Sequence, residues 1–173
     1  MFQFTVLAIT AALVSLDQLT KWLAVLSLKN AETITLIPKV LGLTYVENAG
    51  AAFGILQGQR WFFLILTGVV MAAILWLLLF GKFRKYLLFN ISATLIVAGG
   101  IGNFIDRLIH GYVVDFIEVL FFEFPVFNVA DCFVVVGSVL LLVFFLFIYD
   151  DKKVPIAGKT EATHEDDSTD RTN

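Results

Sequence analysis

Cysteine, histidine and charge are scarce in this 173-residue chain, and each scarcity removes a class of function. A single cysteine, Cys132, excludes an intrachain disulfide and any metal site built from several thiolates, and reads as a small packing residue. The two histidines, His110 and His164, are too few and too far apart for a histidine-centred triad. Charged residues make up 16% of the chain against 59% hydrophobic, and the mean hydropathy is +0.88, a balance that excludes a soluble domain of this size. Basic residues are also missing from the start, Met1-Phe-Gln-Phe, and the apolar run continues past Asp17 to Leu28. The first segment therefore reads as a membrane span rather than a cleaved signal peptide. No long repeat occurs, and the two halves do not mirror each other as inverted-repeat transporters do.

What the chain does have is length in its apolar runs. A hydrocarbon core of roughly 30 Å takes about 20 helical residues to cross, and four segments suffice: about 4–28, 61–80, 86–105 and 129–149. The fold expected is an all-α membrane protein with four transmembrane helices. The second helix carries no charge and reads as scaffold, whereas the first holds Asp17 and Lys21 and the fourth opens on Asp131. Ala98 and Gly102, with Gly99 and Gly100 beside them, predict close packing of helix three on a neighbour.

The formal net charge of −3 belongs to the tail, because residues 150–173 hold seven acidic and four basic side chains while the body holds eight of each. Residues 1–153 are expected to form the membrane domain, and 154–173 a disordered, solvated acidic tail. The tight loop Gly81-Lys-Phe-Arg-Lys85, followed by Lys152 and Lys153 beyond helix four, places both termini in the cytoplasm. Residues 29–60 and 106–128 then lie outside. The first outer connection alternates in Thr33-Ile-Thr-Leu-Ile-Pro38 and in Leu41-Gly-Leu-Thr-Tyr-Val46, which predicts a small extracytoplasmic β-sheet turning at Pro38-Lys39. The second, with Phe116, Phe121, Phe122, Phe124 and Phe127, predicts a short interfacial segment at headgroup depth.

Polar residues in such a chain need a reason, since burying an ionised carboxylate in hydrocarbon costs several kcal/mol (on the order of 2.5–3.5 on insertion scales). Asp17 and Lys21 are four apart on one helix face, where a buried ion pair accounts for both. Asn103 and Arg107 share a face of helix three. Arg107 fits a helix C-terminus or a snorkelling position as well as a ligand contact. Asn48, in Asn48-Ala-Gly-Ala-Ala-Phe-Gly54, fits an Asx turn, although its small neighbours admit close approach of backbone or substrate. Asn128 and Asp131 match a capping box. Asp115, in Gly111-Tyr-Val-Val-Asp115-Phe, has no cap to make, lies at a comparable depth to Asp131 and is joined to it by a short segment. Two carboxylates a few ångströms apart do not both ionise readily, so one keeps a proton while the other accepts one from water, the pairing an aspartic protease uses.

Other chemistries fit less well. A serine–lysine dyad would need Lys21 near Ser92 or Ser138, and Ser138 lies two turns deeper than Asp131. Asp115, Asp131 and Glu118 lack the histidine or cysteine support of a metal site. A proton-coupled transporter would hold its carboxylates near the midplane, whereas these sit at helix margins. A non-catalytic assembly protein would leave the aspartate pair costly and unused.

Four stretches in order, Asp17-Gln-Leu-Thr-Lys21, Asn48-Ala-Gly-Ala-Ala-Phe-Gly54, Gly102-Asn-Phe-Ile-Asp-Arg107 with Gly111-Tyr-Val-Val-Asp115-Phe, and Phe127-Asn-Val-Ala-Asp131, closely resemble the signature blocks of bacterial lipoprotein signal peptidase, or signal peptidase II. The resemblance implies a multi-pass aspartic endopeptidase of the bacterial inner membrane, with its active site toward the outer face. It would cleave prolipoproteins just before the lipid-modified cysteine. By the same resemblance Asp115 and Asp131 are the catalytic dyad, Asn48, Gly54, Asn103, Arg107 and Asn128 hold substrate or orient the dyad, and Asp17 and Lys21 support it. It further implies inhibition by globomycin-type compounds. The expected partners are membrane-embedded prolipoproteins and the lipid bilayer, with no metal, cofactor or nucleic acid, and the expected state is a monomer. The acidic tail lies outside the resemblance.

Overall fold

The computed structural model describes residues 1–51 and 55–149; Gly54 and the acidic tail lie outside the described residues. Helix α1 (Phe2–Leu28) leads into strands β1 (Ile34–Ile37) and β2 (Leu41–Asn48), followed by α2 (Arg60–Phe80). A single 3-10 turn, Lys82–Lys85, connects to α3 (Leu87–Ile109). Strand β3 (Val113–Val119) and helix α4 (Val129–Val143) follow, and α4 ends in a π turn, Phe144–Ile148.

These elements follow from the solvent that the sequence demands. A segment crossing hydrocarbon must satisfy its own backbone groups, which a helix does, and all four helical segments are long and apolar enough to cross a membrane. Half of the apolar window of α3 is buried within the protein, against 11–17% for the other three, so α3 is the central helix and the rest turn most of their surface outward. Glycine lets them approach it. A Cβ on Gly99 would strike the Ala130 carbonyl oxygen of α4, and one on Gly137 would lie 2.8 Å from the Ser92 carbonyl oxygen of α3. Gly102 faces both the Asp17 carboxylate of α1 and the Ala130 methyl of α4. The small-residue stripe of α3 is therefore the seam against two helices at once.

Helix α3 runs to Ile109, four residues past the expected limit near 105. Asp106 and Arg107 look like an end in sequence, but Asp106 is 3% exposed and paired inside the protein, so the helix carries it through. The sheet is antiparallel in the order β1-β2-β3. Strands β1 and β2 turn at Lys39, whose φ of 61° is the left-handed conformation of a tight turn. Strand β3 falls where only an interfacial segment was expected. Its first four residues, Val113 to Phe116, are all buried, so the alternation that marks a half-buried strand is missing there. Phe116 joins Ala24, Leu28 and Val114 in an apolar cluster beneath the sheet, whereas Phe121, Phe122 and Phe124 stay exposed as an interfacial segment should. At the opposite end Val6, Leu78, Phe89, Ala93 and Phe144 form a second cluster, which includes a face-to-edge set of aromatic rings around Phe83. The sheet therefore rests on one end of the helices and closes over it.

Replacing Gly102 by Val would force α1 and α4 away from α3. Overpacking of this kind costs about 1–3 kcal/mol, and thermal unfolding in detergent should show a lowered Tm, while Gly68→Val, whose Cβ would meet Phe104 at an ordinary 3.6 Å, should change it little.

Candidate active site

Four elements converge under the sheet. Strand β2 ends on Asn48, β3 carries Asp115 at its middle, α3 contributes Asn103 and Arg107, and α4 begins with Asn128 and Asp131. Strand pairing sets Asp115 opposite Val46 and Val113 opposite Asn48, so Asn48 reaches Asp115 diagonally across the ladder.

The start of α4 explains how Asp131 is held. Asn128 is the N-cap: its side-chain oxygen accepts the Asp131 N–H at 3.0 Å, and Asp131 Oδ2 accepts the Asn128 N–H at 3.1 Å, a complete capping box. The positive end of the helix dipole then lies at the Asp131 carboxylate. Asp131 Oδ1 accepts from Asn103 Nδ2 at 2.8 Å. Asp115, 2% exposed, accepts from Asn48 Nδ2 at 2.9 Å on one oxygen and from Asn128 Nδ2 at 2.6 Å on the other. Burial pushes the Asp115 carboxyl up to about 6; the Asn48 donor pulls against that shift, and the nearby Asp131 charge adds to it.

Each of the three asparagines is turned by a donor on its far side. Gly50 N–H donates to Asn48 Oδ1 at 3.0 Å, Asp131 N–H to Asn128 Oδ1 at 3.0 Å, and Lys21 Nζ to Asn103 Oδ1 at 2.8 Å. An ammonium or a peptide N–H can only donate, so the amide oxygen must face it and the NH₂ must face the carboxylate. Asn128 also donates to Asn103 Oδ1 at 3.2 Å, which links the supports of the two aspartates.

Both aspartates line a cavity of about 560 Å³ with Asn48, Asn103 and Arg107 on its polar side and Phe127, Val135 and Val136 on its apolar side. Val135 and Val136 are exposed on α4, so the apolar wall continues onto the outer surface of the bundle. A second cavity of about 780 Å³ shares Asn48, Asp115 and the segment from Phe124 to Val126, and is edged by Glu47, Glu118 and Glu123. Arg107 donates to the Gly50 carbonyl at 3.0 Å and lies 4.8 Å from the Phe63 ring centre, tying the turn after β2 to α2 and α3. The arrangement presents two carboxyl groups to one space, with the remaining lone pairs of their oxygens available to a water or a peptide.

Asp17 and Lys21 form the ion pair that their spacing suggests, at 3.0 Å, but they do not stand alone. Asp106 meets the same ammonium at 3.0 Å, and Gln18 bonds both carboxylates. Sequence reasoning assigned neither residue. The signal was present: Asp106 is an acid inside an apolar helix three residues after Asn103, and such a residue needs a buried cation.

A family model described as signal peptidase (SPase) II matches residues 9–147. The chain is 45% identical over 148 residues to a lipoprotein signal peptidase of Listeria monocytogenes serotype 4b (strain CLIP80459), covering 84% of this chain and 94% of that protein. It is 48% identical over 131 residues to a lipoprotein signal peptidase of Streptococcus thermophilus (strain CNRZ 1066), covering 76% and 85%. A bacterial membrane enzyme solved by the in meso method at 2.3 Å superposes with a TM-score of 0.77 at 35% identity, covering 87% of this chain and 94% of that one.

Asn128→Ala removes the cap of α4 and the donor to a buried carboxylate oxygen together. The cap contributes about 1 kcal/mol and the orphaned oxygen about 1–3 kcal/mol more, so thermal unfolding should show a larger loss of stability than in Asn90→Ala, whose amide serves an exposed carbonyl.

Proposed function

The chain belongs to the signal peptidase II family, membrane proteases that remove signal peptides from prolipoproteins, and we propose that it does so as an aspartic endopeptidase in which Asp115 and Asp131 share one water. The observation that carries this reading is the pair of carboxylates held by three oriented asparagines against a single cavity.

The two environments support a division of roles. Asp131, at the start of α4 and facing the Asn103 amide and the Asn128 N–H, serves as the general base in this reading. Burial, with the nearby Asp131 carboxylate adding to it, pushes the Asp115 carboxyl up to about 6, which suits it as the partner that carries the proton. A water between them gives a proton to Asp131 as its oxygen attacks the scissile carbonyl carbon. Asp115 gives its proton to the carbonyl oxygen as negative charge develops there. When the tetrahedral intermediate collapses, Asp131 passes its proton to the leaving nitrogen and the C–N bond breaks. One hydroxyl of the intermediate returns a proton to Asp115. The products are a new carboxyl group on the signal peptide and a free amine on the lipoprotein, and the dyad is back in its starting state. No metal or organic cofactor enters these steps.

The cavity walls support a lipid-anchored substrate cleaved just before its lipidated cysteine. The apolar wall at Val135 and Val136 lets diacylglyceryl chains stay in lipid while the adjoining peptide reaches the dyad. The exposed rings of Phe121, Phe122 and Phe124 suit headgroup depth beside it. Arg107 and Asn48 face the peptide from the polar wall. Lys82, Arg84 and Lys85 occupy the turn at the end opposite the sheet, which supports cytoplasmic termini and a site near the outer face of the bacterial cytoplasmic membrane. A cyclic peptide of the globomycin type would compete for the same cavity, and the chain is self-sufficient as a monomer in this reading.

Purified protein incubated with a diacylglyceryl-modified prolipoprotein should release the signal peptide. Asp115→Asn and Asp131→Asn should each lower kcat by about 10²–10⁴-fold while the protein stays folded. Near-normal turnover in either variant would reject the dyad.

A further inference from the structure

The Asp17, Lys21 and Asp106 cluster sets two carboxyl groups against one ammonium, and the way it is completed assigns it a task. Two carboxylates surround one ammonium, and all three side chains are essentially out of solvent, with Asp17 at 0%, Lys21 at 3% and Asp106 at 3% exposed. Gln18 bridges the acids, donating to Asp17 Oδ2 at 3.2 Å and to Asp106 Oδ1 at 2.9 Å. An unbalanced buried carboxylate needs further donors, because an unmet charge in a low-dielectric interior is strongly destabilising. The donors it finds are two main-chain N–H groups. Asp17 Oδ1 accepts the Ala130 N–H at 2.9 Å, and Asp106 Oδ2 accepts the Val114 N–H at 3.2 Å.

Ala130 directly precedes Asp131, and Val114 directly precedes Asp115. The Ala130 N–H is one of the first-turn groups of α4 that have no partner within the helix. The Val114 N–H belongs to β3, where the neighbouring Phe116 N–H also leaves the sheet, bonding the Phe127 carbonyl at 3.0 Å. Neither group would otherwise be satisfied by its own element. Lys21 adds a third link by holding Asn103, whose amide faces Asp131.

We propose that Asp17, Gln18, Lys21 and Asp106 form a buried clamp that sets the separation of the two catalytic aspartates by gripping the peptide N–H immediately before each one. The inference rests on the two-aspartate reading. These are positioning residues: they reach the reacting atoms only through main chain and Asn103. Charge balance explains why two acids share one lysine, since the second acid's charge is met by the N–H groups that the clamp must hold. A separation error of about 1 Å costs on the order of 10²-fold in rate, so the clamp acts chiefly on kcat.

Steady-state cleavage of a diacylglyceryl-modified prolipoprotein tests this with Asp106→Asn, Asp106→Leu and Gln18→Ala, alongside Asp115→Asn as a control for the dyad. Asp106→Asn keeps an acceptor for Val114 but turns its NH₂ toward the Gln18 amide, so the strut loosens as it does in Gln18→Ala, and kcat is expected to fall about tenfold. Asp106→Leu keeps the branched shape without an acceptor and is expected to lose about 10²-fold in kcat at nearly unchanged KM. Gln18→Ala leaves every charge in place, removes the donor to Asp106 Oδ1, and should lower kcat about tenfold with a modest fall in Tm, a result that stands even where Asp106→Leu does not fold. Normal kcat in Gln18→Ala, equal losses in both Asp106 variants, or a loss carried by KM would overturn the clamp. An active Asp115→Asn would instead reject the dyad itself.

Discussion

An asparagine amide can face a carboxylate with either its donor or its acceptor end, and everything at this site depends on removing that choice. At Asn48, Asn103 and Asn128 a donor on the far side, from Gly50, Lys21 and Asp131 respectively, compels the NH₂ to point at an aspartate. Fixed donors in a dry interior need no reorganisation when charge moves between the two carboxyl groups, which is the property a proton-transferring pair requires. Were any one amide free to rotate, its oxygen would face a carboxylate oxygen and repel it.

The rest of the fold delivers those far-side donors. Glycines at 99 and 102 bring α1 and α4 onto α3 closely enough for Lys21 to reach Asn103 and for Asp17 to reach the start of α4. The capping box turns a helix-starting device into a site component, because the same Asn128 that caps α4 also grips Asp115. Strand β3 places Asp115 beneath the sheet, and the Phe-rich segment after it forms the wall between the two cavities. Capping, pairing and close packing usually contribute to stability alone, and here they also determine which way the amides face.

The residues that made sequence reading work were those whose environment was anomalous. Four apolar runs and two acids at their margins indicated the bundle and the pair, and the i, i+4 spacing of Asp17 and Lys21 indicated their contact. Asn48 makes both an Asx turn and a contact to Asp115, and Asn128 both a helix cap and a contact to Asp115, so the local motif and the tertiary contact do not compete. A periodicity argument could not find β3, since its first half is buried on both faces and has no alternation. Asp106 is obscure for a related reason: beside Arg107 it resembles the polar end of a helix, and only the tertiary position of Lys21 reveals its partner. Pattern reports local periodicity, whereas these contacts join residues more than 80 apart.

The central claim is that Asp115 and Asp131 share one proton, held on Asp115. Isotope-edited infrared titration of the carboxyl C=O stretch, read as the difference between the parent protein and Asp115→Asn, measures it directly. The account predicts a protonated carboxyl band that disappears as pH rises through about 6 in the parent and is absent from Asp115→Asn. In Asp131→Asn the like charge that helps to hold the proton is gone, so the band should survive with a lower midpoint. A parent spectrum with no Asp115 band at pH 5, or a midpoint that rises in Asp131→Asn, would contradict it.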